Sequence, residues 1–253
     1  MRLRFRLRSL LILTALVALL LTLLVHWRNG VYAEADAVVE IEKLGGDVDY
    51  DYEFDAEGLH ASNRAVTVEP PGPQWLKEQF GANCLAHVSR VWLQNHDVPA
   101  WKHRPAEDVE LALLVPLPRL RELHLDGASI TDDGLRELAR HAHLEKLHLS
   151  GTKITDEGLR HLVALPRLRE LNISGTKITD AAFEHLNQMP QLRMLYLGGT
   201  AVTDAAEDAF AERHPGCDIW GNRYSASLRG LNARDESAPG PDDGDASPAE
   251  NAQ

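Results

Sequence analysis

The sequence of 253 residues lacks the short motifs that mark the common classes of enzyme. It contains no G-x-S-x-G nucleophile elbow, no P-loop, no H-E-x-x-H and no C-x-x-C segment. No set of serine, histidine and aspartate can be chosen as a catalytic triad from its spacing alone. We therefore expect a protein that is not an enzyme, and no cofactor is indicated.

The chain also lacks an excess of positive charge. Its 38 acidic residues outnumber its 26 lysines and arginines, which gives a formal net charge of −12. This sign disfavours nucleic acid and anionic lipid surfaces as partners of the folded part. The excess of acidic residues is explained more simply by solubility than by a specific function of these residues.

What the chain does have is one pattern repeated four times at a spacing of 24 residues. A unit this short cannot bury its own apolar side, so it must stack on copies of itself. Nothing inside the unit resembles a reaction centre, which favours binding over catalysis. The copies are LRELHLDGASITDDGLREL (120–138), LEKLHLSGTKITDEGLRHL (144–162), LRELNISGTKITDAAFEHL (168–186) and LRMLYLGGTAVTDAAEDAF (192–210).

Each copy combines two periodicities. In Leu123-His124-Leu125, apolar and polar residues alternate, which predicts a strand with both leucines on one face. Leu135 and Leu138 have the spacing of a short helix. A threonine stands at each expected helix N-cap, and the aspartate after it lies in the first turn, where negative charge suits the helix dipole. The N-cap threonines are Thr131, Thr155, Thr179 and Thr203.

These repeats resemble the leucine-rich repeats, whose pattern L-x-x-L-x-L-x-x-N/C-x-L they meet at all but one position. There the chain has Ala128, Thr152, Thr176 and Thr200, so threonine hydroxyls are expected to replace the family's asparagine ladder. The ITD-x-x-L segment is similar to the cysteine-containing subclass and to single-pass bacterial proteins of planctomycete type. The resemblance covers residues 35–222. It implies an α/β solenoid, a short curved horseshoe with a parallel sheet on its concave face and short helices on its convex face.

Two weaker strands are expected to extend this sheet. Residues 88–98 repeat the strand register upstream, and CDIWG (217–221) repeats it downstream. The segment 99–110 carries eight residues in excess of the regular period, which predicts a protruding loop. In the last repeat Glu207 replaces a helix leucine, as expected of a terminal repeat that faces water.

The exposed strand positions predict a partner-binding row on the concave face. Aromatic and histidine side chains on a rigid sheet suit binding hot spots, and the partner is expected to be a protein or a glycan. Beside the row, Glu122, Lys146, Glu170 and Met194 form a stripe of mixed charge. Alternatively, the tryptophans at both ends only shield the sheet edges. The row comprises Trp92, His124, His148, Asn172, Tyr196 and Trp220.

A metal site is the alternative function for part of this row. His124 and His148 occupy equivalent positions in adjacent strands, about 5 Å apart, near Glu122 and Asp126. The next residue in the row is Asn172, so both histidines are equally explained as ordinary surface residues.

The N-terminus predicts a membrane anchor. Four arginines precede an uncharged run over residues 9–27, whose 19 residues span about 28 Å as a helix, close to the thickness of the bilayer core. The arginines place the N-terminus in the cytoplasm, so the remainder is expected to be exported. The alternative is cleavage at Ala33-Glu34-Ala35, which would release a secreted structural protein.

We therefore divide the chain into four parts. Residues 1–30 are the basic n-region and transmembrane helix, 31–87 an N-terminal cap, 88–222 the repeat domain and 223–253 a disordered acidic tail. In the cap we expect a helix over 35–46, a strand in DVDYDYEFDA (47–56) and a helix over 75–80. The acids of that strand do not fit a calcium-binding EF-hand loop, because Tyr52 and Gly58 stand where glycine and glutamate are required.

The two cysteines, Cys84 and Cys217, are expected at opposite ends of the sheet. About five strand spacings, roughly 20 Å or more, would separate them, whereas a disulfide needs α-carbons within about 7 Å. We expect buried thiols, with an intermolecular bridge as the alternative.

Overall fold

A computed structural model describes residues 7–53, 69–80, 82–93 and 105–222. The N-terminal arginines up to Arg6, the first half of the predicted protruding loop (99–104) and the predicted tail 223–253 lie outside these residues, as do the side chains of residues 7–13.

Helices and short strands alternate along the chain. The helices are α1 (Leu7–Lys43), α2 (Gln74–Phe80), α3 (Asp132–Leu138), α4 (Asp156–Leu162), α5 (Phe183–Leu186) and α6 (Asp204–Arg213). The strands are β1 (Asp47–Tyr50), β2 (Val88–Trp92), β3 (Glu122–His124), β4 (Lys146–His148), β5 (Glu170–Asn172), β6 (Met194–Tyr196) and β7 (Asp218–Trp220). Within the described residues, 3₁₀ segments cover Asp51–Glu53, Asp108–Leu114 and Asp180–Ala182.

The strands form one sheet in chain order, from β1 to β7. Strand β1 runs antiparallel to β2, and every later pair is parallel, with equivalent repeat positions opposite each other. Leu123 thus pairs with Leu147, and Leu147 with Leu171. The predicted stacking of the repeats, with extra strands at 88–92 and 218–220, is confirmed.

A single hydrophobic core runs behind the sheet. Leu123, Leu147, Leu171 and Leu195 are each fully buried, and so are helix residues such as Leu135 and Leu159. Each strand therefore has a closed face against the helices and an open face on the other side. The turn after each strand needs a left-handed backbone, which the four glycines 127, 151, 175 and 199 supply with φ between 66° and 76°.

The aspartates of the ITD segments lie in the first turn of their helices, as expected, and also link neighbouring repeats. The Asp132 carboxylate accepts hydrogen bonds from the backbone N–H and the hydroxyl of Thr155 in the next repeat, at 2.8 and 2.6 Å. The same pair of bonds joins Asp108 to Thr131, Asp156 to Thr179 and Asp180 to Thr203. The threonines do occupy the N-cap positions. Stacking also brings each one over the aspartate of the repeat before it, which adds a contact between repeats that the sequence pattern did not predict.

The threonines in the place of the family's asparagine bond locally. The hydroxyls of Thr152, Thr176 and Thr200 donate to backbone carbonyls three residues earlier in their own repeats, at 2.6 to 2.7 Å. They hold the turn within each repeat, while the aspartates link one repeat to the next.

The N-terminal helix does not end near residue 30. Helix α1 continues without a break for 37 residues, so the expected separate helix over 35–46 is the end of the same element. Its last third packs into the core, where Ala37, Val38 and Ile41 are buried. The expected strand at 47 and helix near 75 are present as β1 and α2. Within the α1 segment Thr14–Lys43, an 18-residue window has a mean hydropathy of 1.4 and no buried residue, so this helix is long and apolar enough to cross a membrane.

At the other end, the expectation for Glu207 is wrong. Its side chain is only 7 % exposed, and its carboxylate accepts a hydrogen bond from the backbone N–H of Asn222. The Asn222 side chain donates to the carbonyls of Thr200 and Val202, so Glu207 closes the last turn of the solenoid instead of facing water. Cys84 and Cys217 are free buried thiols, as predicted.

Candidate functional site

Six residues stand side by side across the open face of the sheet, one from each strand from β2 to β7. The strand register places every one of the predicted partner-binding residues next to its neighbour. Five are half-buried and Trp220 is exposed. We call Trp92, His124, His148, Asn172, Tyr196 and Trp220 the aromatic row.

The rings of the aromatic row stack on one another. Trp92 lies 5.0 Å from His124 between ring centroids, and His124 lies 4.3 Å from His148, with interplanar angles of 14° and 23°. Tyr196 and Trp220 stack at 6.2 Å and 19°. Because parallel strands are about 4.8 Å apart, side chains in register meet face to face. Within each stacked pair, the facing sides of the two rings therefore cover one another.

A second row runs parallel to the first, two residues earlier in each strand. It consists of Arg90, Glu122, Lys146, Glu170, Met194 and Asp218, which we call the charged stripe. Positive and negative residues alternate over its first four positions. Sequence reasoning found the middle of the stripe but missed Arg90 and Asp218, although each stands two residues before a tryptophan of the row.

Ion pairs link the N-terminal part of the charged stripe. Glu122 contacts Arg90 at 3.0 Å and Lys146 at 3.6 Å, and Lys146 reaches Glu170 at 3.8 Å. Glu122 also forms a hydrogen bond of 2.8 Å with the Nε2 atom of His124. Burial opposes ionisation of Glu122, but this hydrogen bond and the charges of Lys146 and Arg90 outweigh it and lower the pKa of Glu122.

The environment of His148 favours the neutral state of its ring. Burial, followed by the nearby His124 ring, lowers the pKa of His148 below its usual value, although Asp126, Glu170 and Glu122 act in the other direction. His148 therefore presents a neutral edge near pH 7, with its Nε2 atom 3.6 Å from Glu170.

Glu122, His124 and His148 also form the predicted metal-ligand group. One ligand atom from each lies within 4.8 Å of the others, and Asp126 is 3.9 Å from the Nδ1 atom of His124. Two imidazoles and a carboxylate are a donor set that suits zinc. The fit is incomplete, because the stacked rings direct their in-plane lone pairs side by side and one ring must turn for both to reach one ion. Arg90 and Lys146 also compete for the carboxylate.

A cavity of about 420 Å³ lies outside the open face, between α1 and the segment before β2. Its lining includes Trp27, Val31, Glu34, Tyr50 and His87. Glu34 accepts from the backbone N–H of Val88 at 2.6 Å and contacts the Nδ1 atom of His87 at 3.2 Å. Sequence reasoning missed this region, because it depends on α1 continuing into the domain.

Comparison with known families identifies the repeats. Residues 118–139 match a model described as a leucine-rich repeat, and residues 142–187 match a model of two such repeats. None of the curated protein sequences matches the chain. The chain therefore contains leucine-rich repeats, and domains of this kind are generally non-enzymatic protein-interaction modules.

Solved structures with the same kind of repeat are similar over part of the chain. A leucine-rich-repeat protein of Leptospira interrogans is 24% identical over 42% of this chain and 26% of its own, with a TM-score of 0.33. An internalin of Listeria monocytogenes is 21% identical over 44% and 30%, with a TM-score of 0.37. The ectodomain of the Arabidopsis thaliana receptor kinase SOBIR1 is 15% identical over 76% and 94%, with a TM-score of 0.40. The match thus covers about a quarter of the first of these proteins and under a third of the second.

Proposed function

We propose that this protein is a membrane-anchored, exported binding module whose open, concave sheet face binds another protein. The observation that carries this proposal is the in-register aromatic row, flanked along its whole length by the charged stripe. Rigid aromatic side chains beside ordered charges combine apolar contact area with polar selectivity. Nothing about the row requires chemistry on the partner.

The stacking geometry favours a protein over a glycan. A sugar packs against the open face of an aromatic ring, but the faces between Trp92, His124 and His148 cover one another, as do those between Tyr196 and Trp220. The partner meets ring edges and alternating charges instead, except over Asn172, where the facing sides of His148 and Tyr196 have no ring between them. Such a surface suits side chains and backbone amides of mixed polarity.

Anchoring is the second part of the proposal. Residues 9–27 span the bilayer with the N-terminus in the cytoplasm, and the helix continues into the exported domain. The competing cleavage site at Ala33-Glu34-Ala35 lies within this helix, and Glu34 is only 9 % exposed and bonded to Val88. Cleavage there would remove a side chain that holds the edge of the domain. This supports retention of the anchor over release of a secreted protein.

Partner capture in the native cell tests the binding face. The full-length tagged protein is crosslinked, and the captured proteins are compared between the natural chain and a triple variant with Trp92, His148 and Tyr196 changed to alanine. We expect the triple variant to lose specific partners while keeping its melting temperature within a few degrees. A matched control changes Arg136, Glu157 and Arg160, which are exposed on the helices, to alanine and should keep the partners. An unchanged set of partners in the triple variant contradicts the proposal.

The first residue of the mature chain tests the anchor. Sequencing of the protein from its own cell should begin at Met1 or Arg2, and the protein should stay with the membranes after an alkaline wash. A chain that begins at Asp36 and leaves the membranes would establish cleavage and a secreted protein.

A zinc site is the second candidate function, and the clustering of Glu122, His124 and His148 favours it. The test is titration of chelator-treated full-length protein with zinc, followed by its melting temperature. A zinc-dependent rise that is lost in His148→Ala supports the site. A melting temperature that zinc leaves unchanged excludes a zinc site that stabilises the folded domain.

A further inference from the structure

The aromatic row contains one gap. Asn172 lies between His148 and Tyr196, and its shorter side chain carries no ring. Its Oδ1 atom accepts from the backbone N–H of Ser174, which holds the amide against its own strand. The two rings on either side are separated by two strand spacings, about 9.6 Å. A planar group over Asn172 would lie about 4.8 Å from each ring, within the 4.3 to 6.2 Å at which the rings of this row already stack.

The charged stripe is incomplete next to the same gap. Its order is positive, negative, positive, negative, and the next position, where a cation would continue the alternation, is Met194. After Met194 comes the exposed acid Asp218. The C-terminal half of the open face therefore carries two carboxylates and no cation of its own in the stripe.

A comparison of the equivalent residues Glu122 and Glu170 shows that Glu170 lacks a close cation. Glu122 has a guanidinium at 3.0 Å and a histidine hydrogen bond at 2.8 Å. Glu170 occupies the same strand position two repeats later, but its contacts are longer, 3.8 Å to the Lys146 ammonium and 3.6 Å to the neutral His148 ring. On the side of Met194 it faces no basic side chain from the stripe. Arg90 forms a close ion pair with Glu122, whereas none of the described residues of the stripe forms an equally close ion pair with Glu170.

Tyr196 shows that both acids act at the gap. After burial, Glu170 and Asp218 are the charges that raise the pKa of the Tyr196 phenol. The negative potential of the two carboxylates therefore extends over the tyrosine ring that forms one wall of the gap.

We infer that the gap over Asn172 is a binding site for an arginine side chain of the partner protein, with its guanidinium between His148 and Tyr196 and its charge directed toward Glu170. This inference rests on the proposed function and names the chemistry of its partner. A guanidinium is planar, stacks on aromatic rings and donates paired hydrogen bonds to a carboxylate. It can therefore fill the gap in the row and also supply the cation that the stripe lacks. The compact ammonium of lysine can supply the cation but cannot stack between the two rings.

A small arginine analogue provides the probe. The full-length protein in detergent micelles, with ¹³C-labelled histidine and tyrosine rings, is titrated with N-acetyl-arginine methylamide at millimolar concentrations. We expect saturable shifts of the His148 and Tyr196 ring signals. The citrulline analogue, which has nearly the same shape without the charge, should bind at least about tenfold more weakly. The lysine analogue should fall between the two.

Matched variants localise the binding. Asn172→Phe fills the gap and should abolish the shifts, whereas Asn172→Ala keeps the gap and should retain them. Glu170→Gln should weaken arginine binding about tenfold, and Glu157→Gln, the same change at an exposed position on α4, should leave it within about twofold. Equal binding of arginine and citrulline, no saturable shift, or an unaffected Asn172→Phe variant would each overturn the inference.

The chain's own arginines are the competing occupants. A full-length variant with Arg223, Arg229 and Arg234 changed to alanine separates the two sources. If the analogue binds this variant but not the natural chain, the gap is filled by the chain itself and the assignment to a partner is wrong. If the partner captured in the cell is lost in the triple variant of the row yet is not displaced by the arginine analogue, the binding face stands and only the arginine site fails.

Discussion

The repeats and the N-terminal region are built by two different kinds of contact. In the repeats each contact recurs at the period of the sequence: Asp132 binds Thr155, and Asp156 binds Thr179, each 23 residues apart. In the N-terminal region Glu34 binds Val88 across 54 residues, in a contact that has no copy elsewhere among the described residues. Recurring contacts can be read from a sequence because the pattern repeats them, whereas a single long-range contact leaves no pattern to read.

The largest expected effect comes from breaking a recurring contact in the core. Leu147→Asp places a carboxylate at a position that is 0% exposed, with no partner for the charge. Leucine truncation alone costs about 2 to 5 kcal/mol at such sites, and the buried charge adds to this. We expect the repeat domain to lose its cooperative melting transition, measured by circular dichroism. Val109→Asp, at a position 70 % exposed, introduces the same group and should melt normally.

A smaller and more local effect should follow from the single contact of the N-terminal region. Glu34→Ala leaves the buried N–H of Val88 without its acceptor and should cost about 2 to 3 kcal/mol. Hydrogen exchange should accelerate in β1 and β2 and remain slow in β4 to β6. Glu40→Ala removes an exposed helix ion pair with Lys43 and should change little. Uniform acceleration through all strands would show that the two regions are one cooperative unit.

The aspartate links between repeats should rank next. Asp132→Ala removes two hydrogen bonds to Thr155 and should lower the free energy of unfolding by about 2 kcal/mol. The adjacent Asp133 lies in the same first turn of α3 but is exposed and pairs with Arg136 on its own helix. Asp133→Ala should therefore cost about 0.5 kcal/mol or less, measured by denaturant unfolding. Equal losses would mean that the helix dipole, which acts on both carboxylates, stabilises the domain more than the contact between repeats does.

The smallest effect concerns pH. His141 is buried beside the repeats, and burial lowers its pKa despite a hydrogen bond with the backbone of Leu117. The unfolded chain then takes up the proton more readily, so stability should fall as pH drops through about 6.5 and below. His141→Gln should flatten this dependence between pH 7 and 5, as measured by melting temperature. His143→Gln, at an exposed position two residues away, should leave the slope unchanged.

More of the fold than of the candidate site could be predicted from the sequence. The alternation in Leu123-His124-Leu125 predicts both the buried strand face and the row of exposed residues, because side-chain direction follows from strand geometry alone. It did not anticipate that Arg90 would contact Glu122, since that ion pair depends on rotamers chosen between two strands. The burial of Glu207 was also missed. The repeat pattern shows that Glu207 departs from leucine, but it does not show the backbone N–H of Asn222 that donates a hydrogen bond to its carboxylate.

The sequence by itself determined the stacking of the repeats, since leucines at fixed spacing leave only one arrangement that removes all of them from water. It also determined which six residues share a row on the open face. Only the tertiary structure decided that α1 continues into the core and that each aspartate reaches the next repeat. It alone also left Glu170 without the close cation that Glu122 has. The hydrophobic effect depends on composition and spacing, whereas hydrogen bonds and ion pairs depend on distances that exist only after the chain has folded.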